Sequence, residues 1–295
     1  MPVGLSTAFW PSQRGDPAAV VERATSLGAA ALLLDTTLPP GLYEALVPLL
    51  EVRRDELPVW AIEAPCPWPY PRRPGLGSLD RDEARAAAGA ALGTIDQAAL
   101  LGARWCLLRL GEVTTIARGW PRLRRAFRRG ELDGQERRLA GLVGERVKAA
   151  GPHLEVLRRG LDRLAGRAAT RGVRLGLVSP RRLAELPSPV ELQLLLADLF
   201  GAPLDVVLDL APCHLGEALG FGPVAATVEA FREATLALLA DGCAGVTGLP
   251  PGRGEIDVPA MVQRLDPGCR RLFHPAPGLG DGELAEGLAT LSALA

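Results

Sequence analysis

The strongest constraint on the fold of this chain is an alternation. Short apolar runs at residues 3–9, 30–34, 58–62, 105–110, 173–178, 204–208, 243–247 and 271–273 are separated by longer, more polar stretches. Each run has strand length and is apolar nearly throughout, the pattern of parallel strands covered on both faces. The stretches between them carry helix signals. Asp16-Pro17 supplies an N-cap and a proline at the first helical position, for a helix that ends at Gly28. Further helices are expected over 38–54, 80–101 before Gly102, 191–200 before Gly201, 222–240, from Asp257-Val258-Pro259 onward, and 281–294. Eight strand–helix units in series predict a (β/α)8 TIM barrel, a single domain over 1–295. An open doubly wound sheet is the runner-up. It would carry a glycine-rich turn after the first strand, where this chain reads Phe9-Trp10-Pro11-Ser12, so no NAD is expected.

One connection is too long for a simple loop and helix. About sixty residues separate the fourth run from the fifth, well beyond the usual connection length. A helical, arginine-rich insert is therefore expected over 114–150. The dense segment from Arg118 to Arg129 has two readings. It is an anion-binding or partner-binding lid over the barrel mouth, or a solvated helix balanced by Glu131, Asp133, Glu136 and Glu145. The second, a surface appendage, is preferred.

Composition excludes several classes. With 33 Lys+Arg against 34 Asp+Glu the net charge is −1, so neither nucleic acid nor a membrane surface is an expected partner. No apolar run reaches the length of a membrane span. The N-terminal residues have no signal-peptide pattern, and the expected location is cytoplasmic. Lys148 is the only lysine and lies in a polar stretch, which argues against Schiff-base chemistry and PLP. Five cysteines without a CxxC motif make neither a disulfide framework nor a zinc ribbon.

Four stretches together resemble the xylose-isomerase-like TIM barrels of the sugar phosphate isomerase/epimerase group. Residues 101–111, Leu-Gly-Ala-Arg-Trp-Cys-Leu-Leu-Arg-Leu-Gly, are similar to that family's fourth strand. Residues 168–179 resemble the helix and strand that deliver a metal-binding glutamate. Residues 204–210 resemble the strand ending in a metal-binding aspartate, here Asp209. Gly252-Arg253-Gly254-Glu255-Ile256-Asp257 resembles the family's GxGxID signature. The resemblance implies a divalent metal held by Glu, Asp, His and Glu at strand ends. This chain departs from that set. The fifth run ends Val178-Ser179, Pro212 stands where the histidine belongs, the seventh run ends Val246-Thr247-Gly248-Leu249, and His274 replaces the last glutamate.

The expected cofactor is accordingly none, or one weakly bound divalent metal with Asp209, His214 and His274 as candidate ligands. Glu63, Arg109, Asp209 and His274 follow strand ends and are the candidate catalytic residues, on the face where barrels place chemistry. Arg109 either clamps a substrate anion or neutralises Glu63. Trp10, Trp68, Tyr70 and Arg253 are candidate substrate contacts, the aromatics as stacking platforms for a small polar molecule. Two functions follow from the resemblance: a divergent isomerase or epimerase of a sugar, polyol or sugar acid, and a catalytically inactive barrel kept for binding or scaffolding. Homo-oligomerisation is left open.

Overall fold

A computed structural model describes residues 1–10, 15–67, 75–117, 120–131, 136–219, 223–243 and 246–294. Eight parallel strands close a barrel: β1 (Val3–Ser6), β2 (Leu32–Leu34), β3 (Val59–Ala64), β4 (Trp105–Leu108), β5 (Arg174–Val178), β6 (Leu204–Asp209), β7 (Leu236–Leu239) and β10 (Arg270–Phe273). They follow one another around the barrel in chain order, and β10 pairs with β1 through Val3 opposite Arg271. An antiparallel hairpin, β8 (Asp241–Cys243) and β9 (Val246–Leu249), stands apart from the barrel.

The helices are α1 (Pro17–Ser26), α2 (Pro40–Val52), α3 (Arg81–Leu101), α4 (Thr114–Ala117), α5 (Trp120–Arg128), α6 (Glu136–Arg171), α7 (Pro189–Asp198), α8 (Ala211–Ala218), α9 (Val224–Ala230), α10 (Val258–Val262) and α11 (Asp281–Ala293). Their ends follow the expected signals. Asp16 accepts from Ala18 N at 3.0 Å and Asp80 from Asp82 N at 2.9 Å, satisfying N–H groups that the helix cannot. Gly102 ends α3 at φ 67°, the left-handed conformation that costs glycine nothing. Among the described residues no helix is long and apolar enough to cross a membrane.

The seventh strand departs from expectation. It is Leu236–Leu239, inside the stretch expected as helix, while of the run expected at 243–247 Cys243 ends β8, Val246 and Thr247 begin β9, and 244–245 lie outside the described residues. Leu-Ala-Leu-Leu has helical propensity, but all four residues are buried between β6 and β10, and burial overrides a weak local preference.

The barrel interior is built on a period of two. Leu33, Ala61, Leu107, Val178, Val207, Leu238 and Leu272 fill it, while the intervening residues pack outward under the helices. Gly176 makes room: a Cβ there would lie 2.7 Å from Leu107 Cδ2 and 2.8 Å from Val207 Cγ2. The N-terminal end is closed by polar groups. Trp105 Nε1 donates to Asp205 at 2.7 Å, Arg174 Nε donates to the same carboxylate, and Arg270 covers the Trp60 ring at 4.7 Å.

The insert is not a free appendage. Leu123 of α5 is buried in a cluster with Leu215 and Leu219, while Arg122, Arg125 and Arg129 remain exposed. The insert thus solvates one face and docks the other. Its last part runs without interruption into the barrel helix α6, which ion-pairs to α3 through Arg167 and Asp96 at 2.8 Å. Arg146 of α6 is buried against α7 and the loop before it. Its guanidinium pairs with both Glu191 oxygens and donates to the carbonyls of Leu183 and Glu185.

Candidate functional site

The same period of two that fills the barrel delivers five polar side chains to its C-terminal mouth. Asp35, Glu63, Arg109, Asp209 and His274 each stand two residues beyond an inward apolar position: Leu33, Ala61, Leu107, Val207 and Leu272. Asp35 was not among the sequence candidates, although the same offset from Leu33 would have found it.

Two carboxylates and two guanidiniums form a closed cluster there. Arg109 Nε donates to Glu63 Oε1 at 2.9 Å and its Nη2 to Asp209 Oδ2 at 2.7 Å. Arg181 reaches in from the loop after β5. Its Nε donates to the same Asp209 oxygen at 3.2 Å, and its Nη2 lies 3.6 Å from Glu63 Oε1. Ser179 Oγ accepts from Asp209 N at 2.8 Å and fixes the end of β6. Arg181 itself is held by its backbone N–H, which donates to Glu185 Oε2 at 2.6 Å. Sequence reasoning missed Arg181 because it sits on an irregular loop, where no periodicity aims a side chain.

Burial opposes charge throughout this cluster. For Asp209 the Arg109 and Arg181 guanidiniums, with His274 behind them, outweigh burial and hold the carboxyl below its usual range. Arg109 is also desolvated, yet Glu63 and Asp209 raise its pKa. Burial, and then the like charge of Arg109, lower that of Arg181. Arg109 Nη1 is buried with no hydrogen-bond partner among the described residues.

Beside the cluster, His274 Nε2 lies 3.4 Å from Asp35 Oδ2. Asp35 is fixed from two sides: its backbone N–H donates to Thr7 Oγ1, and its Oδ1 accepts from Thr37 N, both at 2.8 Å. Two cavities open here. One, of about 200 Å³, is lined by Asp35, Arg181, Asp209, Thr247 and His274. The other, of about 410 Å³, is lined by Arg109, Glu112, Ser179, Arg181 and Glu185. Arg181 lines both, and its side chain keeps 34% of its exposure.

The other candidates lie elsewhere. Trp10 packs edge-on against Phe9, ring centroids 6.1 Å apart, and lines neither cavity. Trp68 and Tyr70 fall outside the described residues. Arg253 is exposed and pairs with Glu286 at 2.8 Å. His214 Nε2 lies 2.9 Å from Glu255 and lines neither cavity.

The signature around Arg253 has a structural explanation. With the seventh strand corrected, the residue after Ala240 is Asp241, a buried carboxylate that the sequence reading had not placed at this strand end. It accepts from the backbone N–H groups of Gly242, Gly252, Gly254 and Ile256 at 2.7–3.0 Å. Gly254 is obligatory, since a Cβ there would stand 2.4 Å from Asp241 Oδ1.

The donor set does not fit the divalent metal that the resemblance implies. Ser179 and Pro212 offer no carboxylate or imidazole, Asp209 is engaged by two guanidiniums, and His274 faces Asp35. Asp241 is spent on backbone N–H groups. Among the described residues no three His, Cys, Asp or Glu side chains group as a metal site.

No protein-family model matches this sequence, and no curated protein matches it. Solved structures do match over essentially the whole chain. A D-tagatose 3-epimerase-like protein is 14% identical with a TM-score of 0.72, covering 100% of this chain and 97% of its own. An L-ribulose 3-epimerase is 15% identical with a TM-score of 0.71, covering 100% and 94%. A xylose isomerase domain protein from Planctomyces limnophilus is 16% identical with a TM-score of 0.66, covering 99% and 96%. At these identities the likeness is one of fold.

Proposed function

From a barrel that shares its fold with sugar epimerases and xylose isomerase domain proteins, we propose an isomerase- or epimerase-type enzyme acting on a small sugar, polyol or sugar acid at the barrel mouth. The observation that carries this reading is the His274–Asp35 pair, set in the same small cavity as Arg181 and Asp209. On a substrate that carries a carbonyl, such a reaction requires a base that takes a proton from the adjacent carbon and returns it to carbon from the enediolate, and positive charge where the carbonyl oxygen becomes an oxyanion. With Nε2 turned to Asp35, the His274 ring exchanges the proton at Nδ1, and Asp35 stabilises the imidazolium that forms. Arg181 supplies the positive charge. Glu63 lines neither cavity and acts by holding Arg109 in place.

A second reading is a catalytically inactive barrel that binds or scaffolds. The neutralisation of Glu63 and Asp209 by Arg109 favours it, since it leaves fewer free charges for chemistry. Proton NMR in D₂O separates the two across a panel of ketoses, aldoses, polyols and sugar acids. An enzyme incorporates deuterium at carbon for at least one compound, and His274→Gln lowers the rate by about 100-fold or more in protein that still folds. A compound that raises the melting temperature but never exchanges would establish the binding reading instead.

A further inference from the structure

The mouth holds the charge of a metal site in a different form. Two carboxylates at the ends of β3 and β6, Glu63 and Asp209, with β4 and β5 between them in the barrel, are bridged twice, by Arg109 and by Arg181. A divalent cation between two carboxylates balances two negative charges with two positive ones. Here the two guanidiniums do the same, and they converge on one oxygen of each carboxylate, Glu63 Oε1 and Asp209 Oδ2. Asp209 Oδ2 carries donors at 2.7 and 3.2 Å, and Glu63 Oε1 has one at 2.9 Å with a second nitrogen at 3.6 Å. A cation approaching either oxygen would meet both guanidiniums within a few ångströms.

We infer that the Arg109–Arg181 pair replaces a divalent metal in this barrel, excluding it from Glu63 and Asp209, and that Arg181 presents the charge to the oxygen atoms of the substrate. The division of labour follows from position. Arg109 is nearly buried, with two of its nitrogens committed to carboxylates, so it neutralises the cluster. Arg181 is partly exposed, lines both cavities and grips its carboxylates at longer distances, so a substrate carbonyl or carboxylate oxygen can reach it. The loop that carries it is pinned by Arg146 through the carbonyls of Leu183 and Glu185, which makes the insert part of the site's support. This role for Arg181 rests on the mouth being the reaction site; the exclusion of metal does not.

The test is Mn²⁺ binding, followed by electron paramagnetic resonance and by thermal melts with Mn²⁺ or EDTA. Wild-type protein is expected to bind no stoichiometric Mn²⁺ at Asp209, and its melting temperature is expected to be unmoved by EDTA. Arg181→Gln removes one positive charge and should gain Mn²⁺ affinity by at least about a hundredfold, a fraction of the repulsion between a unit charge and a dication a few ångströms apart at a protein-like dielectric. Arg181→Lys keeps the charge and should exclude the ion again. One Mn²⁺ per wild-type chain, lost in Asp209→Asn, would overturn the inference. So would a folded Arg181→Gln that gains nothing. Should Arg181→Gln fail to fold, the wild-type titration still decides. Because the readout is metal binding, this inference can fail while proton transfer by His274 stands, and the reverse.

Discussion

Asp209 is almost wholly buried, and a buried carboxyl without partners would take up a proton. Arg109, Arg181 and His274 reverse that tendency and hold it ionised below the ordinary carboxylate range. A pKa depressed on folding contributes stability that is fully present above the unfolded value of about 4 and is lost as pH falls through the folded value. Wild-type protein should therefore exceed Asp209→Asn in stability by about 3 kcal/mol at neutral pH, the cost of leaving buried charge unpaired. That margin should be flat above about pH 5 and shrink only as pH falls below about 4. Denaturant melts of both proteins from pH 3 to 8 check it. A margin that instead grew towards acid pH would mean the carboxyl is protonated in the folded state. Arg109, Asp209, Glu63 and His274 were all legible in the sequence, because each is a polar residue closing an apolar run and a strand fixes its face. Arg109 pairs with Glu63, as one of its two sequence readings expects, and among the described residues its Nη1 has no hydrogen-bond partner.

At the scale of elements, the sequence was informative where a local signal coincided with burial. Asp16 and Asp80 cap the helices they were expected to start, and Gly102 ends one. It misled where composition and burial disagree: Leu236–Leu239 looks helical and is the seventh strand. It was silent where a loop decides, which is why Arg181 went unseen and why Arg253 turns outward while its neighbouring backbone serves Asp241. The insert is the element with the largest untested consequence. Arg146 and Glu191 are both nearly buried, and burial works against Glu191, yet Arg146 and the Ser188 N–H hold its carboxyl below the usual range. Arg146→Met strands that carboxylate and frees the loop carrying Arg181. The expected cost is about 3 kcal/mol, seen as a melting temperature lowered by several degrees. Proteolysis should then cut first between residues 179 and 188. Unchanged melting and an unchanged cleavage pattern would mean that the insert does not support the loop.

At the scale of the whole molecule, one closed barrel separates an apolar interior from a charged mouth. Its apolar interior and the Trp105–Asp205–Arg174 group at the N-terminal end hold the strands in register. The C-terminal end collects charge that an apolar core would not tolerate unpaired: Asp35 with His274, and Glu63 and Asp209 with two arginines. Solved epimerases share this frame at 14–15% identity, a likeness that carries the fold and not the chemistry. The function proposed above places proton transfer at His274 beside the Arg181 guanidinium. The most direct measurement is deuterium incorporation from D₂O into the best sugar or sugar acid of the panel, by protein treated with EDTA. The expected rate equals that of untreated protein, is unchanged by added Mn²⁺ and falls by about 100-fold or more in His274→Gln. A rate that appears only when Mn²⁺ is restored, or that survives intact in His274→Gln, would contradict it.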